Sequence, residues 1–440
     1  IEIANSGDTF TLPINTTDDA DQYIQDFTVD WGDDSTTDIT SFDDSGATHT
    51  YDAPGTYTIT MTGKSELFAV GNGTDKNKIV KLNNFFGDIG FKKLNFYGCS
   101  NLTGNIPTSF KNLRNLVDVS RLFGECRNIS GDIPEDMFWN SPNIVNMFQL
   151  FYRCINLTSE IPEKLFWYNP KVTDFGGVFY SSGVSGEIPE KLFWYNPEVI
   201  NFMGSLGRFS GYPDNITGSI PEKLFWNNPK VEDFSYCFYL RSNITGSIPE
   251  KLFWNNPEVT SFFGTFSLCD NLTGSIPENL FWYNPKVTTF ELCFIECVNL
   301  TGNIPEKLFW NNPEVTTFVQ TFGVLSNSNS INNRIMKFSG QIPEKLFWNN
   351  PKLIDVGACF QNCRYLNGDI PSNLFINNRL INNYRELFNQ CNQLTGDGWR
   401  DIIEYATQYA EENNINLQTN DCFKGCTSLT DYDEIPDEWK

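Results

Sequence analysis

The stretch Ile220-Pro221-Glu222-Lys223-Leu224-Phe225-Trp226-Asn227-Asn228-Pro229 decides how the chain is read. The same ten residues return unchanged at 248–257, 304–313 and 342–351, and with one to three substitutions at 133–142, 161–170, 188–197 and 276–285. Its Ile-Pro start also stands at Ile106-Pro107 and Ile370-Pro371. From Pro107 to Pro371 the spacings between these prolines are 27, 28, 27, 32, 28, 28, 28, 38 and 28. A fixed period of this length marks a solenoid, in which no repeat buries its apolar face alone and stacked neighbours share one core.

Within one period, apolar side chains fall at Val287, Phe290, Cys293, Phe294, Cys297, Leu300, Ile304, Leu308 and Phe309. The steps of 3, 4 and 3 from Val287 through Phe290 and Phe294 to Cys297 predict a helical stretch. The Asn-Leu-Thr-Gly-x-Ile-Pro piece that follows predicts a short strand. Pro305 can open a second short helix and Pro313 ends it. Aligned coils give columns of core residues, one being Phe123, Phe151, Phe179, Leu206, Phe238, Phe266, Phe294, Phe322, Phe360 and Phe388. Cysteines obey the same register. Cys99, Cys126, Cys154, Cys269, Cys297, Cys363, Cys391 and Cys426 share one position, and Cys237, Cys293, Cys359 and Cys422 share another four residues earlier. Other coils carry Leu122, Leu150, Val178, Thr265 or Thr321 at that second position, so small buried thiols are expected rather than disulfides. His49 is the sole histidine, which speaks against zinc.

Outside the array the pattern lapses. Residues 1–63 read as short strands (Thr9–Ile14, Phe27–Trp31, Thr37–Ile39, Ala47–Tyr51 and Thr56–Thr62) separated by turn residues, a small β-sandwich. Residues 64–98 read as connector and N-terminal cap, 99–391 as the solenoid, and 392–440 as a C-terminal cap. Trp399, Ile402, Ile403, Ala406, Tyr409 and Ala410 predict an amphipathic helix in that cap. The net charge of −23 argues against nucleic acid and against an anionic membrane surface. No apolar run is long enough to span a bilayer. The chain opens at Ile1 without a signal-like segment, so a removed signal peptide or a trimmed chain is expected.

Val29-Asp30-Trp31-Gly32-Asp33-Asp34-Ser35, followed by His49-Thr50-Tyr51-Asp52-Ala53-Pro54-Gly55-Thr56-Tyr57, resembles the PKD-like, Ig-type module of bacterial and archaeal surface proteins. The usual Asp-Gly pair is Asp33-Asp34 here. The resemblance implies an extracellular spacer or binding module without an active site. Phe-x-x-Cys-x-Asn-Leu-Thr resembles the BspA-like leucine-rich repeats of bacterial surface proteins, although the unit here is longer. What the two likenesses imply is an α+β repeat fold: an N-terminal β-sandwich, then a right-handed leucine-rich-repeat solenoid of about 28-residue coils.

Candidate sites follow from where the repeat breaks and from what it leaves over. A four-residue insertion lies within Gly207–Asp214, with Arg208, Phe209 and Tyr212, and a ten-residue one within Gly323–Lys337, with Asn327, Asn329 and Asn332. Both leave the coil at the same point, so they should share an edge, roughly 20 Å apart. They mark a binding face or tolerated surface loops. The Trp row (Trp139, Trp167, Trp194, Trp226, Trp254, Trp282, Trp310, Trp348) reads as a partly exposed structural spine, or as a strip for stacking sugars; Trp226, Trp254 and Trp310 are its binding candidates. After the closing proline, Lys171, Glu198, Lys230, Glu258, Lys286, Glu314 and Lys352 alternate in sign, which would hold the coils in register. Asp30, Asp33 and Asp34 are weak calcium candidates whose spacing matches no EF-hand loop, and a solvated acidic surface accounts for them. No other cofactor is expected. Sequons at Asn101, Asn128, Asn156, Asn215, Asn243, Asn271 and Asn299 sit in the repeat's own turn. No nucleophile–base pair stands out, so no enzyme is expected.

The expected function is adhesion or recognition at a cell surface, with a host protein or glycan as partner. The alternative is a structural spacer, or a subunit that binds copies of itself in a surface layer, filament or virion appendage. Neither nucleic acid nor membrane insertion is expected.

Overall fold

The computed structural model describes residues 1–71, 73–85, 87–324 and 335–440. The chain forms two compact units, Ile1–Val199 with Arg208–Asn215, and Ile200–Gly207 with Ile216–Lys440.

The first unit opens with an antiparallel module. Strand β1 (Glu2–Ile3) pairs with β6 (Gly55–Thr56), and β2 (Thr9–Thr11) with β5 (Thr48–Thr50). β3 (Gln25–Asp30) lies between β4 (Thr36–Ile39) and β7 (Thr60–Ser65). Period-2 alternation places Phe27 and Val29 of β3 in the core and Thr28 and Asp30 outside. Trp31 is fully buried, stacked 4.8 Å from the His49 ring, and its indole N–H donates to Thr37 Oγ1 at 3.0 Å. The expected strand Thr56–Thr62 divides in two. Its first end pairs with β1, its last residues join β3, and between them the Tyr57 N–H donates to the Ile1 carbonyl. Gly63 makes the β3–β7 pairing close: at φ +128° it has no Cβ to press on the Asp26 carbonyl, which would lie 2.7 Å away.

Coils follow. β8 (Leu67–Ala69) runs parallel to β9 (Lys93–Asn95), and parallel bridges continue from Lys93 to Asp118, Asn146 and Asp174. The second unit carries the same ladder through Asn201, Asp233, Ser261, Thr289, Thr317, Asp355, Asn383 and Gln418. The coils of each unit form a β-solenoid with about 28 residues per coil.

The expected short helices inside each coil are instead successive turns. In the coil Met147–Cys154, alternate N–H groups leave for the next coil: Met147 to Asp174 O, Gln149 to Gly176 O, Phe151 to Val178 O and Arg153 to Tyr180 O, at 2.7–3.0 Å. Those between them, Leu150, Tyr152 and Cys154, bond three residues back. Gln149 and Arg153 sit in the left-handed region, both at φ 55°. A helix would send every N–H back four residues; a chain of tight turns returns a side chain inward every three or four residues and so imitates helical spacing. The Pro-Glu-Lys-Leu-Phe-Trp piece is likewise turn structure, as in Leu165 N–H to Pro162 O and Trp167 N–H to Lys164 O. The α-helix among the described residues is the predicted one in the cap, α1 (Trp399–Asn413), which buries Trp399, Ile402, Ala406 and Ala410.

Three kinds of ladder hold the coils. Phenylalanine rings stack nearly parallel along the array, for example Phe123–Phe151 at 6.0 Å in the first unit and Phe266–Phe294 at 5.6 Å in the second. All twelve cysteines are free and buried. The Cys154 thiol donates to Phe123 O and that of Cys297 to Phe266 O, both at 2.9 Å. Burial raises thiol pKa values here, that of Cys237 to about 12. The third ladder was not foreseen. The last Asn of the decapeptide is fully buried, and its amide donates twice to the preceding coil: Asn312 Nδ2 to Phe281 O at 3.1 Å and to Asn284 O at 2.8 Å, with Asn256, Asn284, Asn350 and Asn378 doing the same. Ser141 Oγ fills the position in an early coil, donating to Leu113 O at 2.6 Å.

Asn312→Ala leaves two buried carbonyls without that donor and should cost about 2 kcal/mol, whereas Cys297→Ala, which removes one weak donor, should cost about 1 kcal/mol. Urea unfolding of the two variants measures this, and an equal loss would show that the amide has no special part.

Candidate recognition face

Between its columns of core residues each coil makes two corners, whose residues range from exposed to buried. In the first unit these are Ser120-Arg121 and Gly124-Glu125, then Phe148-Gln149 and Tyr152-Arg153, then Gly176-Gly177 and Tyr180-Ser181, of which Gly124, Gly176, Gly177 and Ser181 are buried. In the second unit the same register carries Ser235-Tyr236 and Tyr239-Leu240, Phe263-Gly264 and Ser267-Leu268, Glu291-Leu292 and Ile295-Glu296, and on to Arg385-Glu386 and Asn389-Gln390, of which Ser235, Gly264, Ser267, Ile295, Glu296 and Asn389 are buried. The backbone at these corners repeats: Arg121, Gln149, Gly177, Tyr236, Gly264, Leu292, Ala358 and Glu386 all have positive φ. The side chains do not repeat. This variation is visible in the sequence, but without the turn geometry it reads as noise between core positions.

The first insertion folds onto this face. Asn215 Nδ2 donates to Gly183 O at 3.0 Å and Phe209 N–H to Ser181 Oγ at 2.7 Å. Arg208 reaches the Phe209 and Tyr212 carbonyls at 3.3 Å and lies 3.4 Å from the Asp214 carboxylate. The loop thereby brings two rings to Arg153, whose guanidinium carbon lies 4.8 Å from the Phe209 ring centre, 5.2 Å from that of Tyr212 and 5.0 Å from that of Tyr152. Glu125 accepts from Arg153 at 2.6 Å and from Arg127 at 2.8 Å. Partial burial works against the Arg153 charge, but the bond and charge of Glu125 outweigh it and raise its pKa. Burial also raises the Tyr152 hydroxyl, against the pull of Arg153. Tyr152 and Tyr180 stack at 6.1 Å, and Phe209 meets the Tyr180 ring edge-on at 4.8 Å while remaining 38% exposed. One corner away, Arg121 lies over Tyr97 at 5.1 Å and over Phe148 at 5.7 Å. Arg208, Phe209 and Tyr212 are therefore gathered in one place, with Arg153 and Tyr152, which the sequence reading passed over.

The other candidates are placed as follows. Asn327, Asn329 and Asn332 lie outside the described residues. Trp226, Trp254 and Trp310 are half-buried, as are the other five of the row. Trp254 packs 5.1 Å from Tyr283, with Lys251 Nζ 5.2 Å from its ring centre. Lys286–Glu258 and Lys352–Glu314 form the cross-coil pairs that the alternating charges predicted. Asp33 bonds His49 at 2.7 Å and also Ser35, Asp30 caps the Gly32 N–H, and Asp34 takes a left-handed turn position; among the described residues no group of three or more His, Cys, Asp or Glu is disposed to hold a metal ion. In the sequons, Asn128, Asn215, Asn271 and Asn299 spend their amide N–H groups on carbonyls of the preceding coil.

Compared with known proteins, residues 92–188, 214–338 and 279–401 match the family described as "Mycoplasma protein of unknown function, DUF285". The chain belongs to this family. Residues 2–79 match the PKD domain, in keeping with the module's sequence. The chain is also similar to solved structures of leucine-rich-repeat type. It is 22% identical to the plant peptide hormone receptor RGFR1 in complex with RGF2 (TM-score 0.39, covering 74% of this chain and 53% of that one). It is 20% identical to a TDR receptor (TM-score 0.41, 73% and 52%) and 17% identical to the Arabidopsis receptor kinase HAESA in complex with IDA and SERK1 (TM-score 0.38, 74% and 55%). The chain thus spans about half the length of these proteins. No curated protein sequence matches it. Among the described residues of this DUF285 chain, no helix is long and apolar enough to cross a membrane.

Arg153→Ala removes the cation that the insertion closes over, a loss of about 1–2 kcal/mol confined to the loop. Hydrogen–deuterium exchange in residues 208–215 should quicken roughly tenfold while the α1 helix exchanges at its original rate.

Proposed function

We propose that the chain is an extracellular recognition protein, akin to the BspA-like surface proteins its repeat resembles. In this reading it holds a protein partner on the corner face around Arg153, Phe209 and Tyr212. One observation carries it: buried ladder positions stay nearly the same from coil to coil while the corner positions vary, with Arg121, Gln149, Tyr236, Leu292 and Glu386 at one of them. A spacer has no need of such divergence, whereas a face that meets an aperiodic protein surface does. The composition of the patch agrees, because arginine and tyrosine are enriched where protein interfaces concentrate their energy. The twelve thiols are buried and the single histidine is engaged by Asp33 in the module, so binding rather than catalysis is the reading that these residues support. The constant buried ladder alone would serve a rigid spacer or self-assembling subunit equally well, and that is the second reading.

The test is binding of the full chain to an array of purified extracellular-matrix and cell-surface proteins. Tyr152→Ala and Phe209→Ala should each weaken the strongest interaction tenfold or more, while Lys286→Ala should leave it unchanged. Filaments or lattices seen by electron microscopy, with no protein bound on the array, would favour the spacer reading.

A further inference from the structure

The decapeptide carries a constancy that its buried residues do not explain. Leu, Phe and the last Asn repeat because they pack or bond inside. Glu163 and Glu190 are exposed and Trp167 and Trp194 half-buried, yet these repeat as well. Recent duplication does not account for this, because the same coils have diverged at their corners. Constancy on an outer strip, beside divergence on another, fits a partner that is itself periodic.

Two successive coils of the first unit build that strip furthest. Tyr168 lies 4.9 Å from Trp139 and Tyr195 lies 4.9 Å from Trp167, each pair tilted by 50–57°. The Trp167 indole N–H is fixed by the Lys191 carbonyl at 3.1 Å. Tyr168 and Tyr195 are 47% and 45% exposed, so each presents a ring backed by another ring. They stand where other coils have an Asn that bonds the preceding Trp carbonyl, as Asn311 does to Trp282 O and Asn349 to Trp310 O. The tyrosines forgo that bond and expose an aromatic surface instead. The pattern recurs in the second unit at Trp254 and Tyr283.

We propose that Tyr168 and Tyr195 are stacking platforms for a neutral linear polysaccharide lying across successive coils. The apolar C–H face of a pyranose suits the electron-rich face of a ring, and Lys164, whose Nζ lies 5.7 Å from the Trp167 ring centre, offers a donor for hydroxyl groups. In the two coils that hold Tyr168 and Tyr195 the decapeptide has one Glu and one Lys, on a chain of net charge −23, which disfavours a polyanionic glycan and a second copy of the chain alike. This proposal does not depend on the protein partner of the corner face.

Affinity electrophoresis of the full chain in hydroxyethylcellulose, mixed-linkage β-glucan, mannan and dextran, with pull-down on cellulose and chitin, tests it. At least one of these should retain the wild type. The Tyr168→Ala/Tyr195→Ala double variant, altered only at exposed rings, should lose retention at least tenfold with an unchanged circular dichroism spectrum, while Phe209→Ala keeps it. The proposal is overturned if nothing in the panel retains the wild type, or if the double variant binds within twofold of it. A wild-type dimer by light scattering that the double variant abolishes would overturn it too, assigning the strip to a second copy.

Discussion

Each coil is tied to the one before it by amide hydrogens that have nowhere else to go. Alternate backbone N–H groups along the inner turns reach across to the neighbouring carbonyls, and a buried Asn amide adds two more bonds where the decapeptide closes. The Asn amides are buried, and an unpaired buried donor costs about 1–3 kcal/mol. A coil shifted by one residue would strand them. The Asn ladder therefore acts on register as much as on stability, and the Glu–Lys pairs at the surface, each worth about 0–1 kcal/mol, only reinforce it.

This bonding scheme explains why the outer corners are free to vary. An inward residue must be small enough, apolar enough, or a donor to a carbonyl behind it. An exposed corner residue, such as Arg121 or Arg385, has only to tolerate its turn. Positive φ costs a non-glycine residue about 1 kcal/mol or more, yet Arg121, Gln149, Tyr236 and Leu292 all accept it. The cross-coil bond that the corner N–H makes, such as Gln149 to Gly176 O at 2.7 Å, offsets a cost of that size. Side-chain identity at the corner is thereby released from the fold.

Much of this architecture could be read from the sequence because burial repeats at a fixed interval. The prolines gave the coil length, the phenylalanine columns gave the core, and the exchange of Cys with Leu, Val and Thr indicated thiols that pack rather than bridge. The local conformation could not be read that way. A side chain returning inward every third or fourth residue is what a helix and a chain of tight turns have in common, and only the hydrogen bonds of Leu150 and Phe151 tell them apart. The Asn ladder was hidden by its neighbours, since Asn-Asn-Pro looks like punctuation while the second Asn is buried like a core residue. The Arg153 cluster was out of reach for another reason. Its parts come from four places along the chain, Glu125, Tyr152 with Arg153, Tyr180, and the loop holding Phe209 and Tyr212, and only stacking of the coils brings them together.

Repetition therefore means different things on different sides of one coil. Inside, it is forced, because each position must satisfy the same carbonyls and fill the same volume as its neighbours. At the exposed corners the packing does not force it, and it weakens. On the outer strip Glu163 and Glu190 repeat although exposed, and Tyr168 and Tyr195 replace the Asn of other coils with exposed rings that the backbone does not need. In an array whose coils are copies, the informative comparison is of one coil with the next: a position that varies where the fold would allow constancy, or stays constant where the fold would allow variation, is under a constraint from outside the chain.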